Sequence, residues 1–225
     1  MDGSPVEREQ IAGEAAEIKC LRLGRTIAGA QFDELAAVSP DLIILAWWPY
    51  ILRPEVLALP KAGCVNFHPG LLPHCRGMDP NFWAIVEDRP YGATLHFADE
   101  TVDGGDLAFQ KELAVGWADT GQTLLDRSTA ALQRLFDRHL GDLVSGRVPR
   151  RAQPAVGSFH RRRELEPAAR IELDAPTTAR EVLNVLRARM FKPPEPGAAW
   201  FVDDGEVYEV RVSIRRRPDG GGSPV

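Results

Sequence analysis

Apolar side chains at Phe32, Leu35, Ala36 and Val38 recur at roughly helical spacing until Ser39-Pro40 halts them, which predicts a short helix over 31–38. The run DLIILAWW that follows is continuously apolar, of strand length, and carries β-branched residues. That pattern predicts a strand covered on both faces, as in a parallel sheet, with its carboxyl end from Trp47 to Tyr50 opening onto a crevice. After Arg53-Pro54 a brief helical stretch reaches Leu59-Pro60, and GCVNFHPG gives a second strand ended by Pro69 and Gly70. PNFWAIVED reads as a helix, while YGATLHFAD and LAFQKELAV read as strands. From Asp119 or Thr120 as N-cap, Leu124, Leu125, Leu132, Leu135, Phe136 and Leu140 keep helical spacing as far as Gly141 or Gly146, so a long helix is expected against the sheet.

The stretch PRRAQPAVG at 149–157 interrupts the pattern and divides a main unit, residues 1–154, from a small one, residues 155–217. The small unit is expected to hold one helix, opened by the capping box Thr178 and Glu181 and halted by Pro193-Pro194. It also holds a hairpin around the turn Asp204-Gly205, where Tyr208, Val210, Val212 and Ile214 alternate with polar residues. The tail 218–225 reads as flexible. The fold class expected is therefore α/β with a largely parallel sheet, followed by a helix and a β-hairpin.

Composition changes this picture little. The 225 residues are 44% hydrophobic and 26% charged, within the ordinary globular range. The formal net charge of −5 argues mildly against a nucleic-acid partner. The arginine runs 161–163 and 215–217 read as solvated faces. Three cysteines without a CxxC pair suit a reducing compartment, and no apolar run reaches the ~20 residues of a membrane span, so the expected location is the cytoplasm. The apolar face of the hairpin is expected to be covered in a homodimer.

The candidate chemistry lies between 66 and 112. On a strand, Asn66 and His68 project from one face and can point together beyond the sheet edge, where ligands of open α/β sheets bind. Acyl transfer to an amine needs a donor for the carbonyl oxygen and a base for the amine proton, which Asn66 and His68 can supply. An acid near the imidazole holds its tautomer and favours its protonated form; Asp103, in TVDGGDL, is the candidate.

The ordered pieces N-x-H-P-G-L-L-P, R-G, P-N-F-W, G-x-x-x-H-F and V-D-G-G-D resemble the signature block of N10-formyltetrahydrofolate-dependent formyltransferases, and GSFHRRREL, LRARMF and GEVYEVRV are most similar to the sugar N-formyltransferases. The resemblance implies a Rossmann-like formyltransferase domain with Asn66, His68 and Asp103 catalytic. It also implies that Gly70, Leu71, Leu72 and Pro73 line the folate pocket beside Trp47. Gly70 stands where the family commonly has serine. The family's opening β-strand and glycine turn are not recognised in the polar first residues, so the first βαβ piece is expected to be missing.

By the same resemblance the acceptor is a nucleotide-linked amino sugar, with Asn81 and Trp83 as substrate contacts. The other readings are formylation of methionyl-tRNA or another amine, hydrolysis of the donor, and a binding protein of this fold without activity. Trp47, Trp48 and Trp83 offer stacking surfaces, although core packing is the expected role for most of them. Arg187 and Arg189 could grip a diphosphate, although a solvated helix face is the plainer expectation. Cys64, His68, His74 and Cys75 match no zinc spacing, and no metal is expected.

Overall fold

A computed structural model describes residues 23–191 and 197–217. The expected flexible tail and the expected loss of an opening βαβ piece both fall outside the described residues. Helix α1 (Ala30–Ala37) leads into strand β1 (Ile43–Ala46), the one-turn helix α2 (Pro54–Leu57) and strand β2 (Cys64–His68). A two-residue strand β3 (Arg76–Gly77), helix α3 (Pro80–Val86), and strands β4 (Tyr91–Phe97) and β5 (Leu107–Leu113) follow. The main sheet has the order β1-β2-β4-β5.

The α/β class holds, but the sheet is mixed among the described residues. β1 and β2 are parallel, while β2/β4 and β4/β5 are antiparallel. For β4/β5 the reason is chain length: residues 98–106 between them are fewer than the dozen or more a parallel crossover takes.

Helix α4 (Gly121–Val144) starts at Thr120, whose hydroxyl accepts from Thr123 N while Thr120 N donates to the Thr123 hydroxyl. Its buried stripe of Leu124, Ser128, Ala131, Leu132, Leu135 and Leu143 covers one sheet face, meeting Val65, Ala93, Leu95 and Phe97. Each fully buried leucine there contributes about 1.5–3 kcal/mol relative to exposure. All of β4 is buried, so its alternation separates two covered faces. Odd-numbered residues pack under α4, and Thr94 and His96 point to the opposite face, where Asn66 and His68 also project.

The C-terminal segment is richer than expected, with β6 (Phe159–His160), a 3-10 turn at Arg162–Glu164 and helix α5 (Leu165–Ala168) before the capped helix α6 (Ala179–Ala188). It shares a core with the main unit: Leu165, Ala169 and Phe191 pack with Phe82, Trp83 and Tyr91. β6 pairs in parallel with β3. The hairpin is β7 (Ala199–Asp203) and β8 (Glu206–Val210), with positive φ at both Asp204 and Gly205, as a type I′ turn requires. Its ladder stops at Ala199 opposite Val210, so Val212 and Ile214 continue the alternation without a partner strand among the described residues.

Candidate active site

Asn66 and His68 reach the same face because β2 alternates, and the register sets Asn66 opposite His96 and His68 opposite Thr94. The Asn66 amide donates to Asp103 Oδ1 at 3.2 Å and lies 3.0 Å from His96 Nε2. His96 Nδ1 is 2.9 Å from the Phe97 carbonyl and donates to it, so neutral His96 offers Nε2 as an acceptor for Asn66. Asp103 Oδ2 lies 3.4 Å from His68 Nδ1 and accepts from Gly77 N at 2.9 Å. Asp103 itself sits at positive φ beside Gly104 and Gly105. Gln153 holds that turn, its Nε2 donating to the Asp103 and Gly105 carbonyls at 2.7 and 2.8 Å.

The electrostatics follow from depth. Burial lowers the His68 pKa below its ordinary value, against the pull of Asp103, so its imidazole is neutral at pH 7. Burial alone would raise Asp103, but the attraction of His68 and the hydrogen bond from Gly77 N outweigh it and hold the carboxyl well below the usual range. A neutral His68 attracts less than a protonated one, which leaves the Gly77 N–H and the Asn66 amide as the steadier anchors of the carboxylate.

His68 Nε2 is buried and has no hydrogen-bond partner among the described residues. A Cβ added at Gly70 would stand 2.6 Å from that nitrogen and 3.0 Å from Pro80 Cβ, so a side chain here would oblige the imidazole to shift. The 70–73 loop is tied down by Thr94, whose hydroxyl donates to Gly70 O at 2.7 Å and accepts from Leu72 N at 3.2 Å and Gln110 Nε2 at 3.1 Å. Gln110 also donates to Leu72 O at 2.8 Å. Leu72 and Pro73 are buried, and Leu71 is half-buried. Trp47 follows β1 at positive φ and is 55% exposed, at the edge of the sheet where His68 ends β2.

Asn81 and Trp83, the expected substrate contacts, lie deep in the fold. Both belong to the core beneath the site: Asn81 is 2% exposed and gives its amide to Gly121 O, while Trp83 stacks on His160 at 3.8 Å between centroids. Trp48 also packs with the apolar cluster under β1. Neither Arg187 nor Arg189 lies on a solvated face; Arg189 is bonded to Glu166. Among the described residues no group of three His, Cys, Asp or Glu side chains forms a candidate metal set. None of the described helices is long and apolar enough to cross a membrane. His96, Thr94, Gln110 and Gln153 were not singled out as site residues by sequence, although the G-x-x-x-H-F piece contains His96; their partners are 16 to 50 residues distant.

The formyl transferase family model matches residues 3–139, and the N-formyltransferase dimerization C-terminal domain matches 164–216. A methionyl-tRNA formyltransferase of Pelotomaculum thermopropionicum is 32% identical over 177 residues, covering 78% of this chain and 54% of its own length. The chain thus spans about half of that curated relative. Among solved structures, a sugar N-formyltransferase from Shewanella sp is 28% identical with a TM-score of 0.71, covering 79% of this chain and 71% of its own. A formyltransferase from Anoxybacillus kamchatkensis, in complex with a UDP-linked formamido sugar and tetrahydrofolate, is 32% identical with a TM-score of 0.54, covering 56% of this chain and 67% of its own.

Proposed function

Because the chain belongs to the formyl transferase family, we propose that it transfers a formyl group from N10-formyltetrahydrofolate to the amine of a nucleotide-linked amino sugar. The observation that carries this reading is the contact of Asn66, His68 and Asp103 on the α4-distal face of the sheet. The unpartnered His68 Nε2 and the Gly70 backbone beside it fit a reacting group better than a packed core does. When bound, the folate supplies an activated formyl carbon. Asn66 offers an amide hydrogen to the carbonyl oxygen as it gains charge, in competition with His96 and Asp103. His68 takes the amine proton at Nε2, and Asp103 steadies the imidazolium through Nδ1. Gly70, Leu71, Leu72, Pro73 and Trp47 form the folate-facing wall in this reading.

The sugar acceptor is supported by the names of the structural neighbours and by the net charge of −5. The name of the curated relative favours methionyl-tRNA as a second reading. Residues 1–154 serve as the catalytic unit, and residues 155–217 carry a homodimer contact through the hairpin, where Val207 and Tyr208 are exposed. The test is incubation of the purified chain with N10-formyltetrahydrofolate and a panel of nucleotide-linked amino sugars, with His68→Asn as control and the products read by mass spectrometry. A formylated sugar made only by the native chain supports the reading. Formate released without acceptor favours hydrolysis, and formylated methionyl-tRNA favours the second reading. A folded chain that neither turns over nor binds the folate overturns it.

A further inference from the structure

The cavity between the end of α3, the loop after β5 and α6 carries a charge that no ion pair cancels among the described residues. It encloses about 140 Å³, with Asp88, Arg89, Trp117, Arg180, Asn184 and Arg187 among its walls. Arg187 is 7% exposed. Its Nε donates to Asn184 Oδ1 at 3.0 Å, and its Nη1 donates to the Gly116 and Asp119 carbonyls at 2.9 and 3.0 Å. All three acceptors are neutral. Among the described residues no carboxylate forms an ion pair with Arg187, and the nearby Asp119 carboxylate is engaged by Arg127 at 2.8 Å and by Gly116 N at 2.7 Å. Burial lowers the Arg187 pKa despite the attraction of Asp119 and Asp88, the mark of a charge under-compensated by its surroundings.

A buried guanidinium without a counter-charge is costly, and an anion beside it recovers part of that cost. Arg187 Nη2 donates to no acceptor among the described residues. Arg180 stands two turns earlier on the same helix face, and the two guanidinium groups lie 4.8 and 5.1 Å from the Trp117 ring. Arg89 is paired with Glu87 at 3.5 Å, so Arg180 and Arg187 set against Asp88, the one acid among the cavity's wall residues, leave an excess of one positive charge. That balance matches a singly charged phosphate. The volume takes a phosphate-sized group but falls short of the roughly 300 Å³ at which small-molecule pockets begin. We propose that this cavity binds a phosphate group, separately from the catalytic trio, with Arg187 and Arg180 as its main donors. The inference goes beyond the proposed formyl transfer and does not depend on it.

The test titrates the purified full chain with inorganic phosphate, read by calorimetry and by tryptophan fluorescence, against chloride at equal ionic strength. One saturable site per chain is expected. Arg180→Gln, on an exposed side chain, weakens it roughly tenfold, about the size of one charge-assisted hydrogen bond. Trp117→Phe removes the fluorescence response while calorimetric binding remains. Competition by uridine diphosphate separates the sources: displacement assigns the site to a phosphate carried on a nucleotide, and persistence of bound phosphate assigns it to the free ion. Absence of saturable binding by a folded chain overturns the proposal, as does equal affinity in the native chain and the Arg89→Gln/Arg180→Gln double variant.

Discussion

The amide of Asn66 lies 3.0 Å from Nε2 of His96, straight across the β2/β4 ladder. His96 Nδ1 is held by its neighbour's carbonyl, so Nε2 is left to orient the amide. His96 is thus a positioning residue for Asn66 under the proposed mechanism. His96→Ala is expected to cost about 1–3 kcal/mol of stability by leaving Asn66 half-satisfied in a buried setting. It is also expected to lower kcat by roughly tenfold or more with little change in KM, the pattern for a group that helps only in the transition state. Steady-state kinetics beside thermal melting checks this; a variant that raises KM alone would remove His96 from the mechanism.

Gly70 and His68 form the second close relationship, with 2.6 Å between a would-be Cβ and the imidazole Nε2. Gly70→Ala forces the imidazole or the Pro80 ring to move. We expect the overpacking to cost about 1–3 kcal/mol and formyl transfer to fall at least tenfold, since about 1 Å of misplacement at a reacting group can cost 10²-fold. Unchanged turnover in Gly70→Ala or Gly70→Ser would mean that His68 has slack to move, or that it does not meet the substrate here.

Local signals were the legible part of this chain. Thr178 with Glu181, and Asp204 with Gly205, act within four residues, and both features stand in the structure. The period of the Leu124 to Leu135 stripe marked the buried face of α4 because the helix itself enforces it. Asn66 and His68 were readable as neighbours by strand alternation, and Asp103 only through the motif. What sequence could not supply was pairing at a distance. Strand direction depends on whether 98–106 can cross the sheet, and His96 acquires its role only from its register with Asn66. The motif of Asn81 and Trp83 adjoins the site loop in sequence, and the depth at which α3 buries both is visible only in the fold. Arg187 reads as a surface residue until the 116–119 carbonyls enclose it.

Thr94 joins the strand to the folate-facing loop with one donated and two accepted hydrogen bonds. Thr94→Val keeps the shape but leaves Gly70 O and Leu72 N without that partner, at an expected cost of about 1–3 kcal/mol. A looser loop should raise KM for the folate several-fold more than it lowers kcat. Equal KM values in the native and variant enzymes would show that residues 70–73 do not set folate affinity.

Acid should destabilise this protein in two stages. His68 has a folded pKa below its ordinary 6.5, so between the two values the unfolded chain binds more protons, and stability rises with pH through that window. On acidification this contribution is lost as the pH falls through 6.5 toward the folded value. Asp103 is held below its ordinary 3.8, so its contribution is present above that value and is lost as the pH falls beneath it. Both groups therefore act in one direction, and His68→Asn should flatten the upper stage and also shrink the lower one, since it removes the attraction of His68 on Asp103. Urea midpoints measured from about pH 3 to about pH 8 resolve the stages. The same neutral imidazole should keep the acidic limb of the kcat profile below 6.5. An unaltered stability slope in His68→Asn would place the upper titration on another residue, and with it the case for a buried neutral base at position 68.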